Sequence, residues 1–391
     1  MTIISKASIF LCGFLLLSCA SRDFGRNGEV DIQEHKEFES VVTIESSSNE
    51  ANAGPAPGAP SLTGTAVNRE ANKANTSSPG LAQPKNPSPS ASAADKAKKS
   101  TTLVPPKGAK GKKQKADKKT QPTVPTPPPL PPPLIPPTAK TIEDRQGFVG
   151  RRPVEDPFFP GEEVLLDVSY FGVSAGTMTL GTRPYVKVNG RKAYHFYLKL
   201  QSNEVFSRIY QADDVAETYV DYQELIPLTH QVHLKETKRL VEGRVFVDWT
   251  NLTATKWEKK LTPDEGATEK KVSWAIEPFV QNVFSAPFYM RAFPLFPGKK
   301  LAFLVLSDDK NVTFTGEIVR RETLTTEVGT FDTVVLKPVI VTNGVFKQEG
   351  DILFWLTNDR QKLIVGFEGK IKIGKVKGTL KAIRRGMRPE N

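Results

Sequence analysis

From residue 162 onward, apolar and polar residues alternate with a period of two. In Val164-Leu165-Leu166-Asp167-Val168-Ser169-Tyr170, the set Val164, Leu166, Val168 and Tyr170 falls on one face of a strand, and Asp167 and Ser169 fall on the other. Asn189-Gly190 separates Tyr185–Val188 from Ala193–Leu200, a strong hairpin signal. In the second arm Tyr194, Phe196, Leu198 and Leu200 share one face, and His195, Tyr197, Lys199 and Gln201 share the other. Further strands are predicted over Glu217–Tyr222, Thr229–Leu240, Arg244–Trp249, Thr253–Lys259 and Lys271–Ile276. After a break they continue over Lys300–Leu306, Val312–Arg320, Thr333–Thr342, Asp351–Thr357, Leu363–Glu368 and Lys372–Ile383. Turn chemistry lies between them at Asp308-Asp309, Val328-Gly329, Asn343-Gly344 and Asn358-Asp359.

Glu277–Phe284 breaks this rhythm. Pro278 near its start and apolar residues at i, i+1, i+4 and i+5 predict a short helix, running into the aromatic stretch 287–298. The fold class expected is mainly β: an antiparallel, strongly curved sheet or barrel-like domain with one short helix. Closure or strong curvature protects the edges that a dozen strands would otherwise expose.

The chain before this domain has no such pattern. Of the 391 residues, 31 are Pro, and nineteen of these lie between residues 55 and 137. No Phe, Tyr or Trp occurs between Phe38 and Phe148. Such a segment buries too little apolar surface to offset its conformational entropy. Residues 19–140 therefore read as a disordered Lys- and Pro-rich tether, and 141–391 as the β-rich domain. Residues 121–137, QPTVPTPPPLPPPLIPP, predict polyproline II of about 50 Å. The net charge of +11 belongs mostly to this arm, because residues 95–119 hold ten Lys against two Asp. That distribution does not describe a nucleic-acid-binding domain, and no nucleic-acid partner is expected. The cluster Lys96, Lys98, Lys99, Lys107, Lys110, Lys112, Lys113, Lys115, Lys118 and Lys119 keeps the tether extended by self-repulsion, or contacts peptidoglycan carboxylates or anionic headgroups.

Residues 1–18 read as a signal peptide: Lys6 precedes the apolar run Ile9–Leu17, too short to span a bilayer comfortably. Leu16-Leu17-Ser18-Cys19 resembles the lipobox of bacterial lipoproteins, which implies cleavage before Cys19 and lipidation of its thiol. Ala20 after it resembles the pattern of lipoproteins sorted to the outer membrane. The only other cysteine, Cys12, falls in the removed segment, so no disulfide forms in the domain.

The histidines offer no metal pair, since His230 and His233 are three apart in a strand and face opposite ways, and His195 lies on the wet face. No G-x-S-x-G elbow, H-E-x-x-H or Walker loop occurs, so neither an enzyme nor a cofactor is expected. The remaining signal is aromatic. Trp249, Trp257, Trp274 and Trp355 sit in predicted strands, and Phe284, Phe288 and Tyr289 cluster around the predicted helix. They either form the core or line an apolar cavity as ligand contacts.

The order Pro160-Gly161-Glu162-Glu163, Ser174-Ala175-Gly176-Thr177-Met178, Phe296-Pro297-Gly298-Lys299-Lys300, Gly329-Thr330-Phe331-Asp332-Thr333, Phe354-Trp355-Leu356-Thr357-Asn358-Asp359 and Ile373-Gly374-Lys375-Val376 resembles the bacterial envelope family called domain of unknown function 3108, over about residues 155–385. The resemblance implies a secreted β-rich domain with no assigned activity. A looser likeness, to the half-barrel lipoprotein carriers of the Lol system, implies a curved sheet with a helical lid. Two functions follow as expectations. The first is a non-enzymatic envelope binding module, lipid-anchored and facing the periplasm, for a partner protein, cell-wall polymer or apolar ligand. The other is a lipid or lipoprotein carrier.

Overall fold

Period-two alternation produces strands almost throughout. The computed structural model describes residues 35–46, 131–136, 138–307, 310–342, 345–347, 352–370 and 374–388. Helix α1 (Lys36–Val41) and strand β1 (Ile44–Ser46) come first, followed by the small hairpin β2 (Phe148–Val149) and β3 (Arg152–Pro153). A meander then runs through β4 (Glu162–Tyr170), β5 (Val173–Val188), β6 (Arg191–Ser202), a turn of helix α2 (Glu204–Ser207), β7 (Ala212–Asp221), β8 (Pro227–Glu236), β9 (Arg239–Asp248), β10 (Thr253–Thr262) and β11 (Gly266–Ala275). The second half holds β12 (Gln281–Asn282), helix α3 (Ala286–Tyr289) and a 3₁₀ turn (Met290–Ala292). It continues with β13 (Lys300–Ser307), β14 (Lys310–Thr326), β15 (Gly329–Thr342), β16 (Val345–Lys347), β17 (Ile352–Thr357), β18 (Ile364–Lys370) and β19 (Lys375–Arg385).

All of these except β2 and β3 form one 17-stranded sheet. Its middle is the antiparallel pair of β4 and β19, the first and last long strands of the domain. From there β5 to β11 follow on one side, each antiparallel to the last. On the other side come β18, β17, β15, β14 and β13, with β12 the one parallel addition, to β13. The sheet curls, because strands far apart in this order share one core. Leu198 of β6 and Leu301 of β13 belong to the same buried cluster.

The aromatic segment that includes α3 fills the space between. Phe288 stacks on Phe196 of β6 at 4.2 Å. Tyr289 meets Phe303 of β13 edge-on at 5.1 Å. Phe293, fully buried, lies parallel to the same Phe303 at 6.1 Å. A second core, behind β5 to β10, gathers Val186, Val188, Tyr219, Val247 and Trp249 with Phe38 from α1 and Ile135.

The hairpin at Asn189-Gly190 forms as expected, with φ of 48° and 78°, the left-handed pair a type I′ turn requires. The inward face of β6 is the expected set Tyr194, Phe196, Leu198 and Leu200, all buried. Three expectations need correction. The helix predicted over 277–284 begins nine residues later, at Ala286. Gln281 and Asn282 are instead drawn into register beside Val305 and Leu306, and Asn282 Oδ1 accepts the amides of Phe284 and Ser285 at 2.9 and 2.8 Å. The single strand predicted over 229–240 is two, β8 and β9. They turn at Thr237-Lys238 without Gly or Pro, helped by Arg239 Nη2 donating to Glu236 at 2.9 Å. Finally, the arm expected over 19–140 contains two stretches packed on the domain, 35–46 and 131–140, with Phe38 and Ile135 buried. The turn residues at 308–309 and 343–344 lie outside the described residues.

Phe288 is enclosed on all sides, so its truncation leaves a cavity. Phe288→Ala is expected to cost about 3–5 kcal/mol in urea unfolding of the full chain. A loss under about 1 kcal/mol would contradict a filled interior.

Candidate functional site

The seven aromatic residues singled out as ligand contacts do not converge. Phe284, Phe288 and Tyr289 lie in the first core. Trp249 and Trp257 lie in the second, with Trp274 packed against it. Trp249 falls one residue beyond β9, and its Nε1 donates to the carbonyl of Pro227 at 2.8 Å. Trp355 packs at the margin of the first core and donates to Glu322 at 2.6 Å. Two hollows flank α3. One, beside Glu162, Leu180, Phe288 and Arg291, has a volume of about 10 Å³, and the other, beside Phe196 and Tyr289, has essentially none. That is room for one water at most.

The charged groups beside α3 are tied to each other. Arg291, on the 3₁₀ turn after α3, meets Glu162 at the start of β4 at 2.7 Å, with both side chains under 5 % exposed. Glu162 also accepts from Thr182 Oγ1 and Gln361 Nε2, each at 2.9 Å. Arg291 spends its other donors on the carbonyls of Gln361 and Pro157, both at 2.8 Å. Lys362 donates to the carbonyl of Arg291 at 3.0 Å, and burial, with the Arg291 charge behind it, lowers its pKa to about 8.

The outer face of the sheet carries a second polar layer. On β6, the neighbours of Tyr194 and Phe196 point away from the first core; His195 is among them, but it is buried at 9 % exposure and does not sit on a wet face as expected. Its Nε2 meets Glu217 of β7 at 3.0 Å, and its ring stacks on Tyr219 at 4.6 Å. Arg183 of β5 pairs with the same Glu217 at 2.9 Å. The hydrogen bond from His195 holds the Glu217 carboxyl below its ordinary pKa, against the effect of burial. Next along, Glu242 of β9 is nearly inaccessible and takes His233 of β8 and, at 3.0 Å, Arg244. The hydrogen bond to Glu242 raises the pKa of His233.

Residues 35–46 lie across this layer. Phe38 packs edge-on to Trp257 at 5.8 Å between centroids. Glu37 accepts from Trp257 Nε1 at 3.0 Å and pairs with Lys271. His35 sits near Arg244, Lys259 and Glu242, and burial first, then the two cations, lower its pKa. Asn189 clamps the far end. Its Oδ1 accepts from the Thr43 amide at 2.8 Å, its Nδ2 donates to the Val41 carbonyl at 3.0 Å, and its own amide donates to the Thr43 carbonyl at 2.9 Å. Strand β1 then pairs antiparallel with β5, Ile44 opposite Val188 and Ser46 opposite Val186. It uses the length of β5 beyond Gly181, where its pairing with β4 ends.

Sequence reasoning missed this segment. Its only signals were the lone aromatic Phe38 and the Val41-Val42 pair. Cys19 and the lysine cluster from Lys96 to Lys119 lie outside the described residues.

The family described as protein of unknown function DUF3108 matches over residues 166–381, more than half of the chain, and the chain belongs to that family. Among solved structures, it is similar to a beta-barrel-like protein of domain of unknown function DUF1849 from Brucella abortus. That pair shares 11 % identity at a TM-score of 0.36, covering 58 % of this chain and 97 % of the other. It is also similar to a protein with a YmcC-like fold from Bacteroides fragilis, at 13 % identity and a TM-score of 0.23, covering 59 % and 98 %. No curated protein matches.

His230 gives the domain a pH signature. Its ring meets Phe284 at 5.4 Å, its Nδ1 is buried with no hydrogen-bond partner, and burial lowers its pKa from 6.5 to about 3. A depressed histidine stabilises the fold fully above pH 6.5. That contribution drains as pH falls toward 3, by at most about 1.4 kcal/mol per unit. Urea unfolding of the wild type and His230→Leu at pH 7.5, 6.0 and 5.0 is expected to show a shallower acid slope in the variant. Parallel slopes would contradict the assignment.

Proposed function

We propose that this protein is a lipoprotein of the bacterial envelope, anchored in the outer membrane through acylated Cys19 and facing the periplasm. In this reading its β domain is a non-enzymatic binding module. The observation that carries the proposal is where the molecule keeps its accessible chemistry. The interior is packed with aromatic rings in contact and with ion pairs whose partners are spoken for. The outer face, by contrast, engages a peptide segment through strand pairing, an aromatic contact and side-chain hydrogen bonds to backbone. These are the elements of peptide recognition by strand addition. The sequence of the lysine cluster Lys96–Lys119 supports a second contact, with peptidoglycan carboxylates or anionic headgroups.

A lipid or lipoprotein carrier is the competing reading. A site of that kind needs a cavity of several hundred Å³, and the hollows beside α3 offer about 10 Å³. Titrating the purified full chain with a fluorescent long-chain fatty acid separates the two. The binding module is expected to give no saturable signal. Saturable one-to-one binding at micromolar concentration would favour the carrier.

A further inference from the structure

The domain's connection to its anchor is set by where the chain touches it. Among the described residues two separated stretches of the arm do so, and both meet the same hairpin. The first is residues 35–46, whose β1 pairs with Val186–Val188 of β5 and whose backbone is clamped by Asn189 in the β5–β6 turn. The second is the end of the proline-rich stretch. Arg191, paired across the hairpin with Val188, donates to the carbonyl of Pro132 at 2.9 Å. Glu224 accepts the amides of Leu134 and Ile135 at 2.5 and 3.3 Å. Ile135 is 2 % exposed, and Arg191 itself is held by Asp221 at 2.7 Å.

Val188 therefore faces Ile44 on one side and Arg191 on the other. Ser46, opposite Val186, and Pro132, whose carbonyl takes Arg191, are thus both held at the β5–β6 hairpin.

We propose that residues 35–46 act as a strap that makes the 20–34 segment the only leash between Cys19 and the β domain, and turns the Lys- and Pro-rich stretch into a side loop. The proposal rests on reading Cys19 as the anchor. Its consequence is metric. Fifteen residues span at most about 50 Å when fully extended, whereas 121 residues, the arm read as one tether, would span about 400 Å. A docked strap keeps the domain close to the bilayer whatever the length of the loop. It also leaves the lysine cluster free to engage a partner without moving the domain outward. Phe38 is the element on which docking turns, since it is the strap's buried aromatic and packs on Trp257.

The test measures distance directly. Dyes are placed at Ser21→Cys and at Asp264→Cys in the exposed β10–β11 turn, in the full chain with Cys12 and Cys19 replaced by Ser. Energy transfer is compared with and without deletion of 60–120. With the strap docked, the deletion leaves transfer unchanged, because 20–34 sets the distance. In Phe38→Asp the transfer falls, and it then responds to the deletion. Asn189→Gly keeps the left-handed turn but loses the side-chain bonds to Thr43 and Val41, and is expected to give an intermediate fall. A wild-type chain whose transfer changes with the deletion as much as that of Phe38→Asp would overturn the proposal. The mass of the N-terminal peptide from unsubstituted protein is a separate readout. An unmodified Cys19 would sink the anchor reading while leaving the strap result standing.

Discussion

The pair Glu162–Arg291 is the constraint on which the rest of the domain depends. It joins the start of the first central strand to the segment that fills the sheet, and it does so away from water. Two charges held there are tolerable only because every neighbour contributes. Thr182 from β5 and Gln361 from the β17–β18 loop complete the carboxylate, and two backbone carbonyls complete the guanidinium. Removing one member would strand the other, a change that costs about 3–5 kcal/mol in comparable buried pairs. The pair thus ties the start of β4 and the β17–β18 loop to the segment that carries α3.

From that closure follows the division of labour between the two faces. Inside, Phe288 stacks on Phe196, while Tyr289, Phe293 and Phe303 touch one another in a second set of ring contacts. Outside, Glu217 and Glu242 each collect a histidine and an arginine, and this is where the chain's own N-terminal segment docks. The strap shows the kind of contact the surface makes, an extended backbone laid along a free strand edge with one aromatic side chain set against Trp257.

Much of the fold was legible because strands advertise themselves locally. The inward set of β6 and the turn at Asn189-Gly190 followed from alternation and from the φ that a type I′ turn needs. The misplaced helix shows where local signals stop. Residues 277–284 have helical spacing, but Gln281 and Asn282 gain more from buried hydrogen bonds to Leu225, Thr218 and Ser285 than a short helix could return. The β8–β9 turn carries no Gly or Pro to announce it. The strap was hidden for another reason. Phe38 and Val42 make too short an apolar pair to announce themselves; the aromatic partner of Phe38 is Trp257, and only the folded sheet brings them together. The aromatic candidates could not be sorted into core or cavity wall, since both use the same side chains. What distributes them over two packed clusters is the long-range pairing of the sheet.

The central claim is that the aromatic segment around α3 is part of the core and not a lid over a binding cavity. Hydrogen exchange of the full chain tests it most directly, by comparing amides of residues 286–293 with those of Leu336 and Val365 in the strands around them. If the segment is core, Tyr289 and Phe293 exchange only through the same global unfolding that exposes Leu336 and Val365, with equal dependence on denaturant. Exchange of 286–293 through a separate, low-energy opening, while the strands stay protected, would show a lid and contradict the account.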